Sequence, residues 1–158
     1  DSLTSHGFTR FLILNTHGGN RDIAKLAATE IGARGGIDFM GAVDLSGLID
    51  PEILERHTAA GTGRAGHACE DETSTALYLS PQIVRSDLIA KGQIDDTAWE
   101  FRAALETHGV RTATNMHDLT ANGALGDPTL ATAEMGRERI ESAHAGLAEL
   151  IDTITSST

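Results

Sequence analysis

The sequence is poor in several of the features that usually anchor a functional reading. Its 158 residues hold one cysteine, three prolines, 4% aromatic residues and 12 Lys+Arg against 23 Asp+Glu. A single cysteine, Cys69, excludes an internal disulfide, so an ordinary apolar core must hold the chain; a reducing, cytoplasmic location is the expectation. The scarcity of basic residues leaves a formal net charge of −11. Nucleic-acid backbones and anionic membranes reward basic surfaces, so neither is expected as a main partner. No apolar run approaches the ~20 residues of a membrane-spanning helix, and no signal-peptide pattern opens the chain. What remains is 40% hydrophobic residues in a length at which a domain buries roughly 70% of its unfolded surface. No repeat, low-complexity segment or linker interrupts it, so one soluble domain is expected. It begins with Asp1 and not Met, which reads as a chain whose beginning lies elsewhere.

Residues 10–15, Arg-Phe-Leu-Ile-Leu-Asn, form a short continuous apolar run, the pattern of a parallel strand buried on both faces. A glycine turn follows. Asn20 is placed to cap a helix bearing Ile23, Leu26, Ala27 and Ile31 at helical spacing, and Gly32, Gly35 and Gly36 end it. A second apolar run over 37–43 completes the length and order of a β-α-β crossover. Asp50-Pro51 is a cap with proline at the first helical position. Further helices are expected over 72–79 and 97–108, the latter carrying Trp99, Ala103 and Leu105. A long C-terminal helix has Ile140, Ala143, Leu147, Leu150 and Ile154 on one face, and Arg137, Arg139, Glu141 and Glu149 opposite. This alternation specifies α/β architecture.

Two segments hold the residue types that do chemistry. Asn15-Thr16-His17-Gly18-Gly19-Asn20 lies where a buried strand gives way to a helix, the place where α/β folds bind ligands. An imidazole on a rigid loop can ligate a metal, and the glycines admit a close backbone approach; a plain turn with a solvated histidine is the alternative. The second segment is Gly66-His67-Ala68-Cys69-Glu70-Asp71-Glu72-Thr73-Ser74. Three carboxylates and an imidazole so close together call for a cation or shared protons, or else are acids that complement a helix dipole. Cys69 is expected to be a packed thiol and not a nucleophile. Gly61 to Gly66 fits G-x-G-x-x-G, but follows a helix and leads into acids that would repel a pyrophosphate. Glu55/His57 and Glu106/His108 sit two apart on helices, where side chains diverge, and read as solvated faces. His117-Asp118 is a candidate hydrogen-bonded pair in an extended segment.

Taken in order, Ser2-Leu3 to His6-Gly7-Phe8, the strand Phe11 to Asn15, His17-Gly18-Gly19-Asn20, His67-Ala68-Cys69-Glu70-Asp71-Glu72-Thr73-Ser74 and Gly126-Asp127-Pro128-Thr129 with Ala131-Thr132 resemble the creatininase (creatinine amidohydrolase) family over nearly the whole chain. The resemblance implies a three-layer α/β/α sandwich with a mostly parallel sheet, and a metal-dependent hydrolase opening C–N bonds in cyclic or unusual amides. It implies a homo-oligomer, a hexamer among the options, with two divalent ions (zinc, manganese or iron) in each complete site and a small amide as substrate. Carried over by position, His17 is a metal ligand, Glu70 a carboxylate ligand or base, and His67 the proton shuttle. Glu72 is then a supporting or helix-capping acid, and Gly18, Gly19 and Asn20 face the substrate.

Two departures refine this. Gly19 stands where creatininases carry a glutamate, which points to the broader branch that includes formamide deformylases and the peptidase of mycofactocin maturation. The family's early Glu-x-His and following Asp have no counterpart after Asp1. His17 and Glu70 alone would under-ligate two ions, each of which needs three or more protein ligands. The chain is therefore expected to be roughly the C-terminal two-thirds of a domain, its remaining ligands supplied by a preceding segment or by a separate chain. A non-catalytic subunit of the same fold is the rival expectation, and a nucleotide-binding domain resting on Gly61–Gly66 is a third.

Overall fold

The computed structural model describes residues 1–60, 66–112 and 115–156, of which 58–60 by backbone alone. The Gly61–Ala65 part of the glycine loop lies outside the described residues. The chain divides into two compact units, Asp1–Asp50 with Glu141–Thr158, and Pro51–Ile140.

The first unit opens with a single helical turn, α1 (Ser2–Ser5), and is organised by a β-α-β crossover: β1 (Arg10–Asn15), α2 (Arg21–Ala33) and β2 (Phe39–Asp44). The strands pair in parallel from Arg10↔Phe39 to Asn15↔Asp44, the arrangement expected of two strands joined through a helix. The first strand has the bounds read from its apolar run; the second begins at Phe39 and not residue 37. Asn20 occupies the N-cap position of α2 but makes no side-chain capping bond there. Gly35 and Gly36, at φ of +72° and +80°, turn the chain after the helix, a conformation that glycine adopts at no steric cost. The strands are half-buried and not buried on both faces as expected; in β1 only Asn15 is fully buried. With two strands in the described sheet, each keeps an unpaired edge. Small side chains, Ala24 and Ala28 of α2 with Ala143, dominate the core beside Leu48 and Ile49.

The second unit is helical: α3 (Pro51–Ala60), α4 (Glu70–Leu79), α5 (Asp96–Thr107) and α6 (Met116–Leu119), joined by 3-10 turns. Asp95 caps α5 by accepting the Ala98 N–H at 2.9 Å. Asp127 caps the turn Pro128–Leu130, accepting from the Thr129 N–H and hydroxyl. His117 and Asp118 do pair, at 3.0 Å, but on α6 and in full exposure, not in an extended segment. The last helix, α7 (Ala133–Ser156), gives its first turns to the second unit and the rest to the first. The expected apolar face is the better covered one, with Ala143 3% exposed. None of the described helices is long and apolar enough to cross a membrane.

Two glycines of α7 set how closely its neighbours approach. A Cβ on Gly136 would stand 2.0 Å from the Ser74 carbonyl oxygen within the second unit, and one on Gly146 would stand 2.3 Å from that of Leu48 within the first. Such gaps admit hydrogen only.

The histidine of α3 departs from expectation. His57 is 4% exposed, and its Nε2 lies 3.1 Å from Glu138 Oε2, which also draws Arg56 at 3.4 Å. It is a packed group paired across the fold and not part of a solvated face. Among the described residues its buried Nδ1 has no hydrogen-bond partner. Likewise Arg139 is largely buried, 3.2 Å from Asp71. Glu106 does lie on a solvated face, taking Arg102 at 2.9 Å and Arg111 at 3.9 Å.

Candidate functional site

In the first unit, the carboxyl ends of β1 and β2 carry Asn15 and Asp44 in register. Asn15 is buried and uses both ends of its amide: Nδ2 donates to Asp44 Oδ1 at 2.7 Å, and Oδ1 accepts the His17 N–H at 3.3 Å. The polar end of the apolar run thereby fixes the start of the His17 loop. His17, Gly18, Gly19 and Asn20 are exposed, with Gly18–Asn20 wound as a 3-10 turn. The His17 ring folds over Gly19, where a Cβ would come within 2.8 Å of Nε2. Any larger residue at 19 must displace the imidazole, so glycine and ring position go together.

Asp44 was not singled out from the sequence, although an acid at a strand's carboxyl end is a signal to look for. Its carboxyl is held below the usual range, first by the Asn15 amide, against burial, and then by Arg21 at 2.9 Å and Lys25 at 3.8 Å. A depressed carboxyl stabilises the fold above the unfolded pKa of about 3.9 and loses that contribution as pH falls through the lower folded value. Asn15→Ala removes the largest cause. The Asp44 midpoint, followed by NMR titration, is expected to rise toward the ordinary range, and the acid limb of unfolding to move to higher pH with it; an unchanged midpoint would contradict the assignment.

In the second unit, His67, Glu70 and Glu72 share one short segment. His67 is half-buried and bridges Leu125, receiving the Leu125 N–H on its carbonyl at 2.8 Å while the Gly66 N–H reaches Leu125 O at 3.0 Å. Ala68 takes a left-handed φ of +46°, which costs a non-glycine residue about 1 kcal/mol. In exchange the Ala68 N–H meets Glu72 Oε2 at 2.5 Å. Glu70, Asp71 and Glu72 form the first turn of α4, where the helix dipole favours acids. Glu72 therefore acts on the chain entering its own helix.

Glu70 is 2% exposed. The described residues give its carboxylate one hydrogen-bond donor, the Asp127 N–H at 2.8 Å on Oε2. A buried carboxylate has room for about four such partners and is costly to bury with few. Asp127 carries no sequence signal for a part in the site; its backbone reaches Glu70 across 57 positions, which no local spacing reveals. Asp71 behaves differently. Burial pushes its carboxyl up despite the Arg139 guanidinium, with Glu70 adding to the rise. Ser74, fully buried, donates to Met135 Sδ at 3.2 Å and accepts the Thr132 N–H at 3.0 Å, tying α4 to the start of α7.

Cys69 is buried and free, and burial pushes its thiol up against the nearby backbone N–H groups that would lower it. It fits the packed thiol expected from the sequence. At neutral pH iodoacetamide should alkylate it at least about tenfold more slowly in the folded protein than in strong urea, because the thiolate is the nucleophile; equal rates would contradict this burial.

The site residues thus form two groups. His17 with Gly18, Gly19 and Asn20 belongs to the first unit; His67, Glu70 and Glu72 belong to the second. Among the described residues no three His, Cys, Asp or Glu side chains gather as a set that could hold a metal ion.

Comparison with known proteins gives these motifs a setting. The family model "Creatininase: Creatinine amidohydrolase" matches residues 1–151. The "Mycofactocin precursor peptide peptidase" of Mycobacterium ulcerans (strain Agy99) is 31% identical over 147 residues, 93% of this chain and 47% of that protein. The chain thus spans about half the length of this curated relative. The crystal structure of "Putative creatinine amidohydrolase" from Bacteroides fragilis NCTC 9343 superposes with a TM-score of 0.70 at 24% identity, covering 99% of this chain and 58% of that one. That likeness establishes the creatininase-like α/β fold with its parallel sheet. With the family model matched over almost all of its length, the chain belongs to the creatininase (creatinine amidohydrolase) family.

Proposed function

We propose that the protein is a metal-dependent amidohydrolase that opens the C–N bond of a small cyclic or non-standard amide through a metal-activated water. The observation that carries this reading is Glu70, a carboxylate 2% exposed at the first turn of α4 and three positions from His67. Glu70 accepts the Asp127 N–H on Oε2, and a carboxylate buried to this degree is costly unless its charge is paired. The imidazole of His17 and the carboxylate of Glu70 have the donor chemistry of zinc, manganese or iron ligands, and in this proposal each is a ligand to a divalent ion whose remaining ligands come from outside the described residues. A bound divalent ion makes hydroxide available near neutral pH and polarises an amide carbonyl.

The chain's own residues do the rest. As water oxygen bonds to the carbonyl carbon and the C–N bond breaks, His67 gives a proton to the departing nitrogen, so that a neutral amine and an acid result. Glu70, steadied by the Asp127 N–H, keeps a negative charge beside the reacting water. Glu72 holds the Ala68 backbone and with it the approach of His67. Gly19 leaves room for the His17 ring, and Gly18, Gly19 and Asn20 face the substrate. Homo-oligomerisation belongs to the same proposal and is read from the molar mass in solution.

Metal analysis tests the reading. Near-stoichiometric zinc, manganese or iron in the purified protein, lost on His17→Ala, is the expected result. A protein that binds no divalent ion and hydrolyses no amide in a broad panel would be a non-catalytic member of the family, and the proposal would fall.

A further inference from the structure

The second unit contains an open cavity of about 540 Å³ whose lining begins at the candidate site itself, with Ala68, Glu72 and Thr73. Opposite in chemistry are Val84, Leu88, Ile89 and Pro128, which give it apolar walls. Leu88 is 59% exposed, so much of this apolar surface is uncovered. One cation, Arg85, and one free amide, Gln93, also line the cavity. Asn122 does not count as free, because its Oδ1 accepts from Gln93 N–H, Thr120 and Ala124 and its Nδ2 donates to the Lys91 carbonyl.

Arg85 is unusual within this chain. Acids outnumber bases by nearly two to one, and the described cations are mostly taken: Arg21 and Lys25 by Asp44, Arg56 by Glu138, Lys91 by Asp127, Arg102 and Arg111 by Glu106. Arg137 pairs with Glu134, Arg139 with Asp71, and Arg10 donates to the Ile154 carbonyl. Arg34 caps the carboxyl end of α2, where the helix dipole supplies negative potential. Among the described residues Arg85 has no acid partner; it is the N-cap residue of the 3-10 turn 86–88, an end whose dipole offers a cation nothing, and it stands at an apolar cavity that starts one residue from His67. Glu72, the acid of the lining, has one oxygen committed to the Ala68 N–H. A free guanidinium suits a carboxylate, which it binds through two parallel N–H donors.

From this juxtaposition we infer that the cavity is a substrate subsite that binds an apolar side chain against Val84, Leu88, Ile89 and Pro128 and an adjoining carboxylate on Arg85. Resting on the amidohydrolase reading, it narrows the substrate class to amides that bear a carboxylate next to an apolar group.

A matched pair of probes tests it by calorimetric titration into the purified protein: N-acetyl-L-leucine and its neutral counterpart N-acetyl-L-leucinamide. The carboxylate probe is expected to bind about tenfold more tightly, the scale of one charge-assisted contact. In Arg85→Gln the two should bind alike, and Leu88→Asp should weaken both. Arg85 is exposed, so its variant is not expected to disturb the fold, which circular dichroism verifies. Equal affinities in the unaltered protein, or a preference that survives Arg85→Gln, would overturn the subsite. Repeating the titration with His67→Ala separates the two claims. A preference retained in His67→Ala while hydrolysis is lost would support both claims; a preference in unaltered, metal-loaded protein that hydrolyses no amide would support the subsite and sink the amidohydrolase reading, whereas hydrolysis without any preference would sink the subsite alone.

Discussion

Glu70→Gln is expected to lower amide hydrolysis by about 10³-fold, within the range that a positioned acid/base group supplies, while leaving the fold intact. Glutamine keeps the length and volume of the side chain. Its carbonyl oxygen can still accept the Asp127 N–H that now meets Glu70 Oε2 at 2.8 Å, so the pinning of α4 to the 125–127 segment survives. The charge does not survive, and neither does the donor for a divalent ion, so metal content should fall along with rate. Glu70→Ala should behave differently: it orphans a buried backbone N–H, which costs about 1–3 kcal/mol on top of the lost activity. Steady-state kinetics beside urea unfolding separates the two variants. A Glu70→Gln protein of full activity would show that this carboxylate has no chemical role.

Gly136→Ala is expected to destabilise the protein, although alanine is the better helix former by about 1 kcal/mol. The reason is a contact between backbones. The added Cβ would lie 2.0 Å from the Ser74 oxygen and 3.0 Å from the Thr75 nitrogen, neither of which can turn away as a side chain could. Overpacking of this kind costs about 3 kcal/mol, leaving a net loss of about 2 kcal/mol and a fall in Tm of about 6 °C at this chain length. Because Ser74 lies four residues after Glu70 on α4, displaced α7 should also disturb the candidate site. Gly47→Ala is the control. Its Cβ would meet only Val43 Cγ2 at an ordinary 3.9 Å, and the change should stay within about 0.5 kcal/mol. Equal Tm values for the two variants would contradict the close approach.

What the sequence made legible was local. The apolar run 10–15 defined β1 because both ends are polar, and Asp50-Pro51 announced the start of α3 at Pro51 because capping and proline geometry act locally. The α4 start was set at 72 and lies at Glu70, since acids that might have been ligands are also what a first helical turn prefers. His57 was misread for the opposite reason. Its neighbour Glu55 does point away, but its partner is Glu138 on α7, and no spacing rule spans 81 residues. The same holds for Asp127 with Glu70 and for Ser74 with Thr132. Buried polar groups must find partners, so the residues whose partners are distant in sequence are the ones that local pattern cannot place.

The most direct measurement is amine release from a panel of small cyclic and N-acyl amides by the purified protein, before and after chelation and again after adding back zinc or manganese. Release that stops with the chelator and returns with the metal is the predicted result. No release from metal-loaded protein, or release that chelation leaves unchanged, would contradict the proposal of a metal-dependent amidohydrolase.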